Sequence, residues 1–144
     1  MAACWRSISP GPRRRWNERG ISLSTADGKA PKGKRGPKFE SGLKTRRKVL
    51  GDTYVDAALD KATDFSWPMQ QLVTEFCWDE VWNRPGLALR DRSILNLAIL
   101  SVMNRQAEFK AHVRGALRNG VTRAELTEIC LHLAVYSGMP VGID

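Results

Sequence analysis

Residues 104–140 read NRQAEFKAHVRGALRNGVTRAELTEICLHLAVYSGMP, and their punctuation decides the fold. From Gln106 to Asn119 the apolar residues Phe109, Val113, Ala116 and Leu117 recur at helical spacing, and Asn119-Gly120 supplies a left-handed stop. Thr122-Arg123-Ala124-Glu125 has the form of a capping box, in which the threonine hydroxyl accepts from the backbone three residues on and the glutamate reaches back. It opens a last helix with Leu126, Ile129, Cys130 and Leu133 on its inner face, ended by Gly138 and Pro140.

Working back from this pair, Asp91 lies at the start of a helix in which Ile94, Leu95, Leu97, Ala98, Ile99, Leu100, Val102 and Met103 leave almost no polar face. A helix apolar all round must be covered all round, and in so short a chain that calls for subunit contacts. Before it, Pro68 suits a first helical turn after Asp64 or Ser66 as cap, and Met69, Leu72, Val73, Phe76, Cys77 and Val81 mark an apolar face up to Asn83-Arg84-Pro85-Gly86. On this reading Glu75, Trp78, Asp79 and Trp82 lie off the core stripe. Leu43 to Leu50 reads as a short basic helix ended by Gly51, and Asp52 as the cap of another from about Tyr54 to Ala62. No stretch sustains the alternation of a strand, so the fold class is all-α, built as an oligomer.

The 144 residues suffice for one domain. The formal charge of +8 divides unevenly: residues 1–40 carry ten Lys/Arg against three acids, and residues 41–144 carry thirteen against twelve. The first forty mix Pro, Gly, Ser, Lys and Arg without apolar periodicity, the composition of a disordered tail. That tail is open to three readings: an extension without function, a targeting segment, or a contact for nucleic acid or an acidic surface. The domain, residues 41–144, is nearly neutral, which argues against nucleic acid as its partner. The longest strongly apolar stretch, Ile94 to Met103, is far short of the roughly 20 residues that span a bilayer, so no membrane span is expected. Cys4, Cys77 and Cys130 form no C-x-x-C pair, which points to a reducing, cytoplasmic setting without a disulfide scaffold.

Both histidines follow a glutamate by four residues, Glu108 with His112 and Glu128 with His132, so each pair shares a helix face. A carboxylate beside an imidazole raises its pKa and fixes one tautomer, which suits a general acid near neutral pH; the same spacing also makes ordinary surface ion pairs. Two histidines give no zinc spacing, and no metal is expected. Trp78 and Trp82 form an aromatic ledge beside Glu75, either packing or a pocket wall. No phosphate-binding glycine loop and no G-x-S-x-G elbow occurs.

The runs VLGDTYVDAALD, LVTEFCWDEVWNRPGLALRDRSILNLAIL and NRQAEFKAHVRGALRNGVTRAELTEICLHLAVYSGMP resemble the gamma-carboxymuconolactone decarboxylase family over residues 42–144. The ordered set T-E-x-x-W-x-x-V-W-x-R-P-G-L, E-x-x-x-H-V-x-G-A-L-x-N-G-V-T and A-V-Y-x-G-x-P carries the likeness. It implies an all-α subunit like alkylhydroperoxidase-D proteins, assembled as a hexamer, and a place in the protocatechuate branch of aromatic degradation. It also implies a helical turn or two beyond Asp144. Peroxidase relatives carry a C-x-x-C pair ahead of the helix histidine; here Arg105 and Glu108 occupy those two places and His112 matches the histidine.

The implied reaction is decarboxylation of a lactone dicarboxylate to the beta-ketoadipate enol-lactone. The electrons left by CO₂ flow through the ring double bond to the lactone carbonyl, so the substrate is its own electron sink and no cofactor is expected. The expected roles are His112 as proton or oxyanion donor, oriented by Glu108, with Glu75 as a second acid–base group. Arg105 and Arg92 are carboxylate clamps, and Trp78 and Trp82 wall the substrate. The rivals are a thiol redox protein working through Cys77 or Cys130, and a basic-tailed oligomeric binding module without enzymatic activity.

Overall fold

The computed structural model describes residues 35–143; of the stretch read as a tail, residues 1–34 lie outside the described residues. The described chain is all helical: α1 Pro37–Leu50, α2 Asp52–Asp60, α3 Trp67–Leu72 running straight into a π-helical segment Val73–Val81, then α4 Leu89–Val102, α5 Gln106–Arg118, α6 Arg123–Ser137 and α7 Met139–Ile143. Helix α1 packs along the π-helix and against α5, while α4 packs on α5, α6 and α7.

Helix α1 starts with proline at its first position, and Phe39 is buried in the core. Pro37–Glu40, grouped with the tail on composition, therefore pack as part of the helical unit. The helix ends at Gly51, whose φ of 89° is open to glycine at little cost. Its last carbonyls are satisfied from across the fold, where Arg118 donates through Nη1 to the oxygens of Leu50 at 2.9 Å and Val49 at 3.4 Å. Asp52 does not cap α2 as expected: Gly51 holds the N-cap position, and the Asp52 carboxylate lies 3.8 Å from Arg47 Nε. The capping box of α6 is formed as read, with Thr122 Oγ1 accepting from the Glu125 amide at 3.2 Å and Glu125 Oε2 accepting from the Thr122 amide at 2.8 Å. Gly138 breaks α6, but Pro140 does not end the chain's helices; it sits in the first turn of short α7.

Two apolar clusters result. The larger gathers Phe39, Leu43, Val49 and Leu50 of α1 with Val55, Trp78, Trp82 and Ala111; the smaller holds Leu97, Ala116 and Val121. Helix α5 contributes Ala111 to one and Ala116 to the other, so it stands between them.

The largest correction concerns the third helix. Thr74, Trp78 and Trp82 form its buried face, with the two indoles only 4% and 5% exposed, whereas Met69, Leu72, Phe76 and Val81 of the expected core stripe are exposed. Within the π-helix the cause is the winding. An i→i+5 turn takes more residues than an α turn, so within Val73–Val81 side chains three apart separate around the axis: Val73 and Cys77 of the expected stripe still pack on the core while Phe76 and Val81 turn outward, and Met69 and Leu72 are exposed although α3 is α-wound. The Trp82 amide, for example, donates to the Cys77 carbonyl five residues earlier.

Candidate functional site

The wide-wound segment and α5 together hold the imidazole of His112. Its ring is stacked parallel to Trp78, within 6° at a centroid distance of 6.1 Å, and Trp82 meets it at 6.1 Å with a tilt of 37°. The two indoles in turn touch, 4.7 Å between centroids. The touching indoles present one aromatic wall that packs the ring and shields part of it from water, and His112 Nδ1 is buried with no hydrogen-bond partner among the described residues.

Burial lowers the His112 pKa below its ordinary value, and the Glu108 charge only partly opposes this. The expectation of a raised pKa is reversed because burial of the ring outweighs the Glu108 charge; the Glu108 carboxylate makes its hydrogen bond to Arg105, its Oε1 accepting from Nη2 at 2.6 Å. That guanidinium, first among the causes, holds the Glu108 carboxyl below its usual range. The ring is therefore neutral at pH 7, able to donate one N–H and accept at the other nitrogen.

As pH falls below about 6.5 the unfolded chain takes up a proton at this histidine before the folded chain does. The contribution is thus fully present above that pH and is lost on acidification, in a window separate from that of Glu108, which acts below about 4.5. Urea midpoints taken from about pH 8 to about pH 5 should fall for the native chain and fall less for His112→Gln. Equal slopes would remove the buried neutral ring from the account.

The other expected residues are placed as follows. Glu75 is half-buried on the π-helix and accepts from Gln71 Nε2 at 3.0 Å. Arg105 occupies the N-cap position of α5 and holds Glu108. Arg92 donates through Nη2 to the Arg84 carbonyl at 2.9 Å, bracing the turn before α4, and its buried Nε has no partner among the described residues. His132 is exposed and packs on Tyr136, 4.5 Å between ring centroids. Cys77 is half-buried and burial pushes its thiol up, away from the thiolate that redox chemistry needs. Among the described residues, no group of three His, Cys, Asp or Glu could hold a metal ion, and no helix is long and apolar enough to cross a membrane.

Arg46 was not visible in the sequence as anything but part of a basic run. It is 6% exposed, and its Nη1 donates to Gln70 Oε1 at 3.0 Å and Thr74 Oγ1 at 3.2 Å, with no carboxylate partner among the described residues. Burial lowers its pKa, and the neutral acceptors on α3 and the π-helix meet only part of its hydrogen-bonding capacity.

The described chain is thus all helical, with an imidazole packed against a pair of touching indoles and no C-x-x-C pair in the sequence ahead of it. The chain belongs to the carboxymuconolactone decarboxylase family, whose model matches residues 68–142. It is 46% identical to the nitrosuccinic acid decarboxylase of Metarhizium robertsii over 106 residues, 74% of each chain. It is 39% identical to the 4-carboxymuconolactone decarboxylase of Acinetobacter baylyi over 103 residues, 72% of this chain and 77% of that one.

Proposed function

We propose that this protein is a carboxy-lyase that decarboxylates 4-carboxymuconolactone to the beta-ketoadipate enol-lactone without a cofactor. The observation that carries the reading is the half-buried His112 imidazole, packed against Trp78 and Trp82 with Nδ1 unpaired among the described residues, in a chain of this family. As the C–C bond to the departing carboxylate breaks, its electron pair moves through the ring double bond onto the lactone carbonyl oxygen. A neutral, fixed N–H donor in a water-poor site stabilises that oxygen better than solvent does. CO₂ leaves, and a proton returns to ring carbon. His112 is the donor to the developing oxyanion, Glu75 the second acid–base group, and Glu108 tunes the ring through its charge. Arg105, Arg92, Trp78 and Trp82 bind the substrate.

The higher identity to a nitrosuccinic acid decarboxylase favours a second substrate reading. A nitro group beside the departing carboxylate accepts the electron pair as the conjugated lactone does, so one site suits either acid. Incubating the purified chain with 4-carboxymuconolactone and, separately, with nitrosuccinate while following CO₂ tests both. Turnover of one names the substrate, and release from neither overturns the decarboxylase reading.

The proposed assembly is a homo-oligomer, a hexamer in the cytoplasm. Leu95, Ile99 and Val102 line one exposed face of α4 and Met69, Leu72 and Phe76 another on α3 and the π-helix, apolar surface that a monomer leaves in water. Light scattering coupled to gel filtration should report a trimer or larger; a well-folded monomer would contradict this. The tail is separable: removing residues 1–34 leaves Gly36 and all of α1 in place and should change kcat less than about twofold, while salt-sensitive retention on heparin is lost. Loss of turnover with assembly intact would put the tail in the site.

A further inference from the structure

A cleft of about 480 Å³ opens between α1 and the segment that joins the π-helix to α4; of the residues assigned above only Trp82 lines it, while Arg92 touches its wall through the bond to the Arg84 carbonyl. Its α1 wall is Ser41, Lys44, Thr45 and Lys48, a single helix face at spacings of three and four, and Arg84 stands opposite. No acidic residue lines it. No salt bridge engages Lys44, Lys48 or Arg84 among the described residues. The polar groups at its base satisfy one another: Thr45 Oγ1 donates to Asn83 Oδ1 at 2.6 Å, and Asn83 Nδ2 donates to Asp79 Oδ1 at 2.9 Å and Ser41 Oγ at 3.2 Å. What remains to meet a ligand is three cations, and an apolar surface made by Trp82, Leu87 and Leu89.

The depression next to it provides the contrast. It shares Lys44 and Lys48 but adds Glu40, Arg47 and Asp52, and there Arg47 is paired with Asp52 and Asp56, so its charge is neutralised within the fold. In the cleft beside Trp82 the Asp79 carboxylate at the base accepts from Asn83, and no carboxylate forms a salt bridge with Lys44, Lys48 or Arg84 among the described residues. Cations gathered without a paired acid repel one another, and an anion relieves that repulsion. The chain's own tail is a poor occupant, since residues 1–34 carry eight Lys/Arg against two acids. The volume is that of a small-molecule site, and flexible ammonium groups over an apolar floor match carboxylates spaced along a carbon skeleton.

We infer that this cleft is a binding site for a small di- or tricarboxylate, held by Lys44, Lys48 and Arg84 with its carbon skeleton on Leu87 and the exposed edge of Trp82. Trp82 is the shared element: the same indole meets His112 at 6.1 Å. Occupancy of the cleft therefore bears on the wall of the proposed site. The ligand has two sources, the dicarboxylic substrate of the proposed decarboxylation, in which case the inference rests on that reading, or another polycarboxylic acid that regulates it.

The test is titration of the full-length chain with tricarballylate by calorimetry, beside steady-state kinetics on 4-carboxymuconolactone. The double substitution Lys44→Gln, Lys48→Gln and the single Arg84→Gln should each weaken tricarballylate binding by about tenfold or more. Lys38→Gln is the charge control: Lys38 lies on α1 but is paired with Glu80 outside the cleft, and its loss should change binding less than twofold. If the ligand is the substrate, tricarballylate competes with it, and the cleft variants raise KM about tenfold with kcat little changed. If it is a separate acid, inhibition or activation is non-competitive and KM stays put. Should the chain release no CO₂ from any acid tried, the decarboxylase reading fails while the calorimetry still decides the cleft. Undetectable tricarballylate binding by the native chain, or equal weakening by Lys38→Gln, overturns the inference.

Discussion

Replacing His112 with glutamine should lower kcat for decarboxylation by about 100-fold or more, with helix content unchanged. A factor of 100 is about 2.7 kcal/mol of transition-state stabilisation, the size expected when one preorganised donor is removed from a desolvated site. Glutamine keeps a donor but not a flat aromatic ring, so it loses the stacking on Trp78 and the fixed direction of the N–H. Because burial keeps the native ring neutral, kcat/KM should fall as the pH drops through the lowered pKa and the ring protonates, and that acid limb should vanish in His112→Gln. Glu108→Gln should cost less than tenfold, since its carboxylate is held by Arg105 and acts on the ring only through its charge. His132→Gln, on the exposed face beside Tyr136, should leave kcat within about twofold. A large loss for His132→Gln with near-normal His112→Gln would reverse the assignment. Small losses for both would take histidine out of the mechanism.

How far the sequence disclosed this arrangement depended on whether the signal was local. The end of α5 at Asn119-Gly120 and the capping box at Thr122 were legible because they are satisfied within a few residues of themselves. The pairing of Glu108 with His112 was legible as a shared face, yet its electrostatics were not. The sign of the pKa shift is set by burial of the ring, with two indoles arriving from another helix, and that burial outweighs the Glu108 charge. The π-helix was invisible for a different reason: stripe reading assumes one angular step per residue, and nothing in VTEFCWDEV announces a wider one. Trp78 and Trp82 were singled out, but for the wrong side of their helix. Arg46 sits in the run Thr45-Arg46-Arg47-Lys48, where a solvated face is the natural reading; only the crossing of α1 over the π-helix buries it.

That crossing also predicts the most destabilising single change. At Gly42 an added Cβ would lie 2.0 Å from the carbonyl oxygen of Thr74 and 3.0 Å from the amide nitrogen of Asp79, both backbone atoms of the π-helix. Neither can rotate aside, so Gly42→Ala must push α1 away from the segment it covers. The separation would open the packing of Phe39 and Leu43 against Trp78, and would stretch the bonds from Arg46 to Gln70 and Thr74, leaving a buried guanidinium with still fewer acceptors. Overpacking a fitted core usually costs 1–3 kcal/mol, and the added strain on a buried charge puts the expected loss at about 3 kcal/mol or more. Gly86→Ala serves as the comparison, because nothing lies within 4 Å of a Cβ there, and should shift the melting temperature by no more than a degree or two. The two variants should be melted at one protein concentration, since any assembly makes Tm depend on it. If Gly42→Ala melts with Gly86→Ala, α1 does not lie as close on the π-helix as described, and the burial of Arg46 and the seat of His112 against Trp78 fall with it.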